Sequence, residues 1–401
     1  MLGGRLRWMV KEAPQEVASR ADWVPLQPIL SGICGSDTAV LYGKSSAYLA
    51  PLVSFPAVFG HEVVARVVEA RPGLERGSRV VVEPTLGCAA RGEDPPCSAC
   101  ADGCPHFCAK RQDPVKGPGM LLGYHRDWPG GFATAMWAPA AQCWRVPDGL
   151  VNERAVLTEP LATVLSGMDQ IASKSSMDVL VIGAGTIGLL ATWACRRLLT
   201  PGRLHVIARY GYQAEWAKVL GADLVSTDRE FNRRALDILG RPSRPGQFGA
   251  PTYYPGGYDV VIDAVGSSAS IRHGLQQTKP GGQFLLLGGA GEIRTDLTPL
   301  WSRGIHWVGT YGYGSRSGTS TFALALSWLA DADVPIEGLV THHYRLREYA
   351  NALRVLTDRN VPAIKVVLTQ ESETIPQVRI VPRADVGADR LAASQPQGVR
   401  G

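Results

Sequence analysis

Short apolar runs separated by glycine-rich turns mark the second half of the chain. Val179–Ile182 is four apolar residues in a row, the pattern of a strand buried on both faces. Comparable runs recur at Leu204–Ala208, Tyr258–Gly266 (ending in a turn), Gly282–Gly288 and Ile305–Gly309. An apolar segment suited to a helix follows Gly188, another helix is expected at about 319–331, and a last strand near Ile364–Leu368. Strands alternating with helical stretches predict an α/β fold with a doubly wound parallel sheet. The first half reads differently. Residues 1–30 give short strand-like pieces broken by Pro14, Pro25 and Pro28. Val63–Glu69 and Val80–Pro84 read as strands, and Ala155–Ile171, with Pro160 near its start, as a helix. Residues 110–135 and Gly240–Gly257 read as loops, and the last thirty or so residues, without sustained periodicity, as a disordered tail.

Composition narrows the function classes. A length of 401 residues suggests about two or three domains. The net charge of +5 is spread thinly, with no block of five or six basic residues, so neither nucleic acid nor a membrane surface is indicated. No apolar run reaches the roughly 18 residues of a spanning helix. The N-terminal residues hold no apolar core of a secretory signal, so a cytoplasmic protein is expected. Of the eight cysteines, five lie between Cys88 and Cys108. Such clustering in a chain without an export signal reads as metal before disulfide.

Gly183, Gly185 and Gly188 form G-x-G-x-x-G between a predicted strand and helix. Gly183 allows the tight turn, Gly185 lets a pyrophosphate approach the backbone, and Gly188 lets helix pack on strand. The helix N-terminus offers N–H donors to phosphate. Alone, the motif also fits any glycine-rich turn. An acidic residue is wanted near the end of the second strand to accept from ribose hydroxyls; Ala208 stands there, followed by Arg209 and Tyr210. A small neutral residue followed by arginine suits a 2′-phosphate, hence NADP(H) over NAD(H), unless Arg209 is only a solvated charge. Cys34, between glycines, and His61, just before a strand, form a plausible metal pair, although each alone also reads as structural. The run Cys88-x8-Cys97-x2-Cys100-x3-Cys104-x3-Cys108 is threaded with glycine and proline and has little to build a core. Four thiolates on Zn²⁺ would hold such a lobe together, leaving one cysteine spare; adventitious thiols or a redox pair are the alternative. His125, Arg126 and Trp128 either line a cleft or belong to an exposed loop.

With Gly32-x-Cys34-Gly-x-Asp37, Gly60-His61-Glu62, the cysteine lobe and G-x-G-x-x-G in this order, the chain resembles the zinc-dependent medium-chain dehydrogenases/reductases, the alcohol dehydrogenase superfamily. The resemblance covers about residues 25–369 and looks closest to the polyol, threonine and sugar dehydrogenases. It implies a GroES-like β-rich catalytic domain over residues 1–158, with a structural zinc lobe at 87–109. A Rossmann domain would follow at 159–313, a return to the catalytic domain at 314–370, and the tail at 371–401. Cys34, His61 and Glu159 look like catalytic zinc ligands, Glu159 either directly or through a zinc-bound water. Glu62 resembles a carboxylate that can approach the metal, Ser36 the hydroxyl that bonds the substrate oxygen, and Asp37 the group that orients His61. In the lobe, Cys97, Cys100 and Cys108 match the family's last three ligands. Position 94, where the first belongs, is Asp94, so Cys88 is assigned instead and Cys104 is spare, with Cys104 in place of Cys88 as the alternative.

The resemblance places the cofactor on Gly183, Gly185, Thr186, Ile187 and Gly188, with Ala208, Arg209, Tyr210, Val265, Gly266 and Gly288 around it. Departures are Ala39 where a relay histidine often stands, Ser166 and Ala65. The expected activity is hydride transfer between a secondary alcohol (polyol, sugar or cyclitol-like) and NADP(H), or the reverse reduction, with two zinc ions per chain and a homodimer or homotetramer. Rival readings are a metal-independent reductase of an activated double bond and a non-catalytic dinucleotide-binding protein.

Overall fold

The computed structural model of the chain describes residues 20–172, 174–227, 256–316, 318–358 and 360–370. The expectations for the N-terminal segment, most of the Gly240–Gly257 loop and the tail lie outside these residues.

Five strands open the fold: β1 (Trp23–Gly32), β2 (Glu62–Val67), β3 (Arg79–Val82), β4 (Met136–Pro139) and β5 (Cys143–Arg145). The helix α1 (Gly35–Leu41) follows β1, and α2 (Thr158–Met168) carries the chain away. Six parallel strands come next: β6 (Asp178–Ile182), β7 (Arg203–Ile207), β8 (Leu224–Ser226), β9 (Tyr258–Asp263), β10 (Thr278–Leu286) and β11 (His306–Gly309). Among them run α3 (Thr186–Leu198), α4 (Gly211–Val219) and α5 (Ser268–Gln277). After α6 (Thr321–Ala330) the chain returns with β12 (Val340–Arg345), α7 (Tyr349–Thr357) and β13 (Lys365–Thr369).

The two groups build two sheets. The first has the order β12-β13-β1-β2-β3-β5, with β4 also paired to β1. It is the GroES-like, β-rich part, and its last two strands come from the far end of the chain. The second has the order β11-β10-β9-β6-β7-β8, the doubly wound Rossmann arrangement. Strand order reverses between β6 and β9, and there the glycine motif sits. Gly183 has φ +93°, and a Cβ on it would meet Val265 Cγ2 at 2.4 Å. A Cβ at Gly188 would lie 1.8 Å from the Gly183 carbonyl oxygen, so only glycine lets α3 approach β6 this closely. At Gly185, the residue capping α3, a Cβ would meet nothing within 4 Å.

Some elements differ from their sequence pattern. Pro25 and Pro28 do not break the first strand, because β1 is held by β4 over Trp23–Leu26 and by β2 over Leu26–Gly32. The register with β2 shifts between Pro28 and Leu30, which accommodates a residue without an N–H. The expected helix Ala155–Ile171 is two, a short turn at Asn152–Ala155 and then α2. Residues 120–125 lie inside the protein, where loop composition suggested exposure.

One polar group inside the second sheet gives the stability a pH dependence. His205 is fully buried, with Nδ1 2.6 Å from Tyr258 Oη and Nε2 2.8 Å from Ser226 Oγ. Burial lowers its pKa to about 4. The unfolded chain takes up this proton near pH 6.5, the folded chain only near 4, so the unfolded state is favoured progressively across that window. Stability is expected to fall by about 3 kcal/mol between pH 7 and pH 4 from this residue. Urea unfolding at both pH values, with His205→Asn flattening the difference, checks it.

Candidate active site and metal centres

Strand register brings the first candidate ligands together. Gly32 ends β1 opposite Glu62, which opens β2. Cys34 is two residues beyond Gly32, and His61 immediately precedes Glu62, so the two side chains leave the same end of the sheet. Gly32 also has a spatial role: a Cβ there would lie 1.9 Å from Glu62 Oε2. Ligand atoms of Cys34, His61 and Glu62 all lie within 4.8 Å of one another.

Asp37 sits behind them on the first turn of α1. Its Oδ2 accepts from the Cys34 backbone N–H at 3.0 Å, and its Oδ1 faces His61 Nδ1 at 3.4 Å. The Asp37 carboxylate thus lies on the Nδ1 side of the ring, as an orienting group for a ligating histidine would. Burial disfavours charge on His61, but Asp37 and Cys34 outweigh it and raise the imidazole pKa well above its usual range. Ser36, on the same turn, is exposed.

Three residues that sequence reasoning missed complete this centre. Lys365 opens β13 and is brought in because Ile33 N–H bonds Val366 O at 2.9 Å. Its Nζ donates to both Glu62 oxygens, at 2.7 and 2.6 Å, and to Ile33 O at 3.3 Å. Lys365 and Glu62 are 4% and 1% exposed in their side chains, so this is a buried pair holding Glu62 toward β1. Tyr124 reaches Ser36 and Asp37 through its phenol oxygen. Tyr313 donates to Glu159, in the first turn of α2. Glu159 is outside the set that converges within 4.8 Å. Burial raises its pKa to about 7, against the opposing charge of His61. Local sequence carried no signal for these three, which lie 88 or more positions from Ser36 or, for Tyr313, 154 from Glu159.

The cysteine lobe leaves the sheet between β3 and β4. The Sγ atoms of Cys88, Cys97, Cys100 and Cys108 lie within 4.8 Å of one another. Cys104 Sγ turns instead toward Asp102 O at 3.8 Å. Backbone N–H groups point at the cluster: Cys97 N to Cys88 Sγ at 3.3 Å, Lys110 N to Cys108 Sγ at 3.3 Å and Cys88 N to Cys100 Sγ at 3.4 Å. Backbone N–H groups of Ala109 and Cys100 lower the Cys97 thiol to about 6, whereas burial raises Cys108 to about 11. Four thiolates this close need a cation to be charged together, and the donor set fits a tetrahedral thiophilic ion. Arg91 ties the lobe to the following loop. Its buried guanidinium lies 5.2 Å from the Trp128 ring centroid and donates to Gly117 O at 3.2 Å and Gly119 O at 2.6 Å. His125 is also buried, stacked on Trp128 at 4.1 Å, with Nε2 2.7 Å from Lys116 O. His125 and Trp128 therefore serve packing, while Arg126 is beside Asp127 at 3.4 Å.

At the nucleotide end, Thr186 and Ile187 start α3 next to Gly185. Asp263 Oδ1 accepts from Val265 and Gly266 N–H at 2.8 and 3.1 Å, shaping the turn after β9. A Cβ on Gly266 would lie 2.8 Å from Gly288 O, so these two turns nearly touch. Ala208 is buried, Arg209 is exposed, and Tyr210 caps α4. The two centres meet at consecutive residues: Ile364 O accepts from Thr186 Oγ1 at 3.1 Å, and Lys365 holds Glu62.

Residues 20–148 match the alcohol dehydrogenase GroES-like domain, and residues 186–331 match the zinc-binding dehydrogenase model, together more than half of the chain. The chain belongs to the zinc-type alcohol dehydrogenase family. It is an oxidoreductase of that family. An uncharacterised zinc-type alcohol dehydrogenase-like protein of Haemophilus influenzae is 29% identical over 366 residues, 89% of this chain and 94% of that one. D-arabinitol dehydrogenase 1 of Uromyces fabae is 27% identical over 353 residues, covering 86% and 90%. The crystal structure of galactitol-1-phosphate dehydrogenase from Escherichia coli shares the fold, with TM-score 0.71 and 22% identity over 92% of this chain and 97% of that one. No helix among the described residues of this dehydrogenase is long and apolar enough to cross a membrane.

Proposed function

We propose that this dehydrogenase exchanges a hydride between a secondary alcohol of polyol, sugar or cyclitol type and NADP(H), in a zinc-dependent reaction that also runs as carbonyl reduction. The observation carrying the reading is the convergence of Cys34, His61 and Glu62 within 4.8 Å, joined through Lys365 and Ile364 to the start of the nucleotide helix. A sulfur, an imidazole nitrogen and a carboxylate oxygen, buried or half-buried, make a donor set suited to Zn²⁺. Bound there, zinc would supply Lewis-acid polarisation of the substrate oxygen, and a nicotinamide on the Gly183–Gly188 cradle would supply the hydride acceptor or donor.

The chain's own residues do the rest. Asp37, facing Nδ1 of His61, orients the ring. Lys365 holds Glu62 against its own charge. Glu159, with Tyr313 on one side, is a third ligand or a carboxylate bonded to a metal-bound water. Ser36 bonds the reacting oxygen. Gly185 leaves room for phosphate, and the first N–H groups of α3 receive it. Cys88, Cys97, Cys100 and Cys108 hold a second, structural zinc. Residues 1–158 and 314–370 are proposed as the catalytic unit, and 159–313 as the nucleotide unit. The polyol class is supported by the name of the arabinitol-oxidising relative.

Metal analysis with a panel of alcohols and ketones, read by NADPH and NADH absorbance, tests the proposal. About two zinc per chain and turnover of secondary alcohols or their ketones are expected. One zinc or none, with turnover of activated alkenes, would favour the metal-independent reading. Cofactor binding without turnover would favour a non-catalytic one.

A further inference from the structure

A buried tyrosine controls how the candidate serine can meet a substrate. Tyr124 is 2% exposed, and its ring lies 5.6 Å from that of His61. Its phenol oxygen is 3.1 Å from Ser36 Oγ and 3.0 Å from Asp37 Oδ1. The ring is fixed by an edge contact with Phe59 at 5.6 Å, and the backbone by Ser54 N–H to Tyr124 O at 3.1 Å. Ser36 itself is exposed on the first turn of α1.

A serine hydroxyl rotates to suit its neighbours, and it can donate one proton and accept others. Here the neighbours settle its direction. A carboxylate only accepts, so the single phenol proton goes to Asp37. The phenol oxygen is then left to accept, and Ser36 Oγ is the hydroxyl within reach. With its own proton turned inward, Ser36 presents lone pairs outward. We propose that Tyr124 is a positioning residue that fixes Ser36 as the hydrogen-bond acceptor for the substrate hydroxyl, an inference that rests on the alcohol-oxidising reading above.

Steady-state kcat and KM are to be measured for the metal-loaded wild type, Tyr124→Phe, Ser36→Ala and the double variant, on the best alcohol of the panel. Tyr124→Phe should lower kcat about tenfold with KM changed less than about twofold, the loss of roughly one hydrogen bond at the reacting oxygen. It should add nothing to Ser36→Ala, because the phenol acts through the serine. Ser36→Thr, which keeps a hydroxyl, should restore the dependence on Tyr124. Zinc content should stay at the wild-type value, and the melting temperature should fall by no more than a few degrees. An unchanged kcat in Tyr124→Phe overturns the inference. So does a further loss on the Ser36→Ala background, or a loss of zinc, either of which would place the effect on Asp37 and His61. A wild type that turns over no alcohol or ketone defeats the functional reading, and this inference with it. An active wild type with independent variants defeats the inference alone.

Discussion

Replacing Cys34 by serine is expected to lower kcat/KM by about a thousandfold, since Lewis-acid polarisation is worth several kcal/mol and each 1.4 is about tenfold. Serine keeps the size of the side chain but exchanges a soft thiolate for a neutral hydroxyl, a poor ligand for zinc. The fold should survive. Cys34 is half-buried at the start of α1, outside the apolar clusters of either sheet. Its backbone N–H, which bonds Asp37, is untouched. The measurement therefore pairs activity with zinc content and thermal melting. Zinc should fall from about two to about one per chain, because the cysteine lobe keeps its own set. Full turnover by the variant would remove Cys34 from the catalytic centre. Loss of both metals with a lowered melting temperature would instead mean a fold defect, which an unchanged Cys97–Cys100 lobe argues against.

Local motifs carried much of this centre, and distance along the chain hid the rest. Cys34 and His61 each stand beside glycine in short, recognisable segments, and Gly183 to Gly188 is a continuous signal. Cys88 and Cys104 were separable only by inference from spacing, and the backbone turns Cys88 inward and Cys104 toward Asp102. Lys365 belongs to an ordinary strand, Lys-Val-Val-Leu-Thr, and nothing nearby tells that its ammonium is buried on Glu62. Only the return of β13 to β1 does so. Tyr124 falls in a glycine- and proline-rich stretch whose composition suggests a surface loop. It is inside because its ring packs with Val40, Val53, Phe59, Met120 and Leu121 and its carbonyl accepts from Ser54 N–H, contacts that come mostly from distant parts of the chain. The parallel strands were legible because burial on both faces leaves continuous apolar runs. By contrast β12, Val-Thr-His-His-Tyr-Arg, is a half-buried edge strand with no such run.

At the nucleotide end, Arg209→Gln is expected to raise KM for NADPH about thirtyfold and leave NADH nearly unchanged, as hydrogen bonds to charged groups contribute about 1.5–3 kcal/mol. The geometry explains why the loss should be selective. Ala208 is buried at the end of β7 and offers no carboxylate to ribose hydroxyls. Arg209 is exposed, and among the described residues it makes no ion pair. Its guanidinium lies 5.6 Å from the Tyr210 ring centroid. Tyr210 in turn stacks on Tyr212 at 5.5 Å and 7°, and Tyr212 Oη donates to Ala363 O at 3.4 Å. The arginine is thus steadied on an aromatic pair anchored to the return segment, which lowers the entropy lost on meeting a phosphate. A solvated surface charge would behave otherwise. Its removal would shift both cofactors slightly and equally, with a dependence on ionic strength. Wild-type kcat/KM for NADH equal to or above that for NADPH would show that Ala208 and Arg209 do not select the phosphate. Ala208→Asp supplies the converse: a carboxylate at the end of β7 should repel the 2′-phosphate and favour NADH. Gain on one side and loss on the other, from adjacent residues, is the outcome that a general weakening of the site cannot imitate.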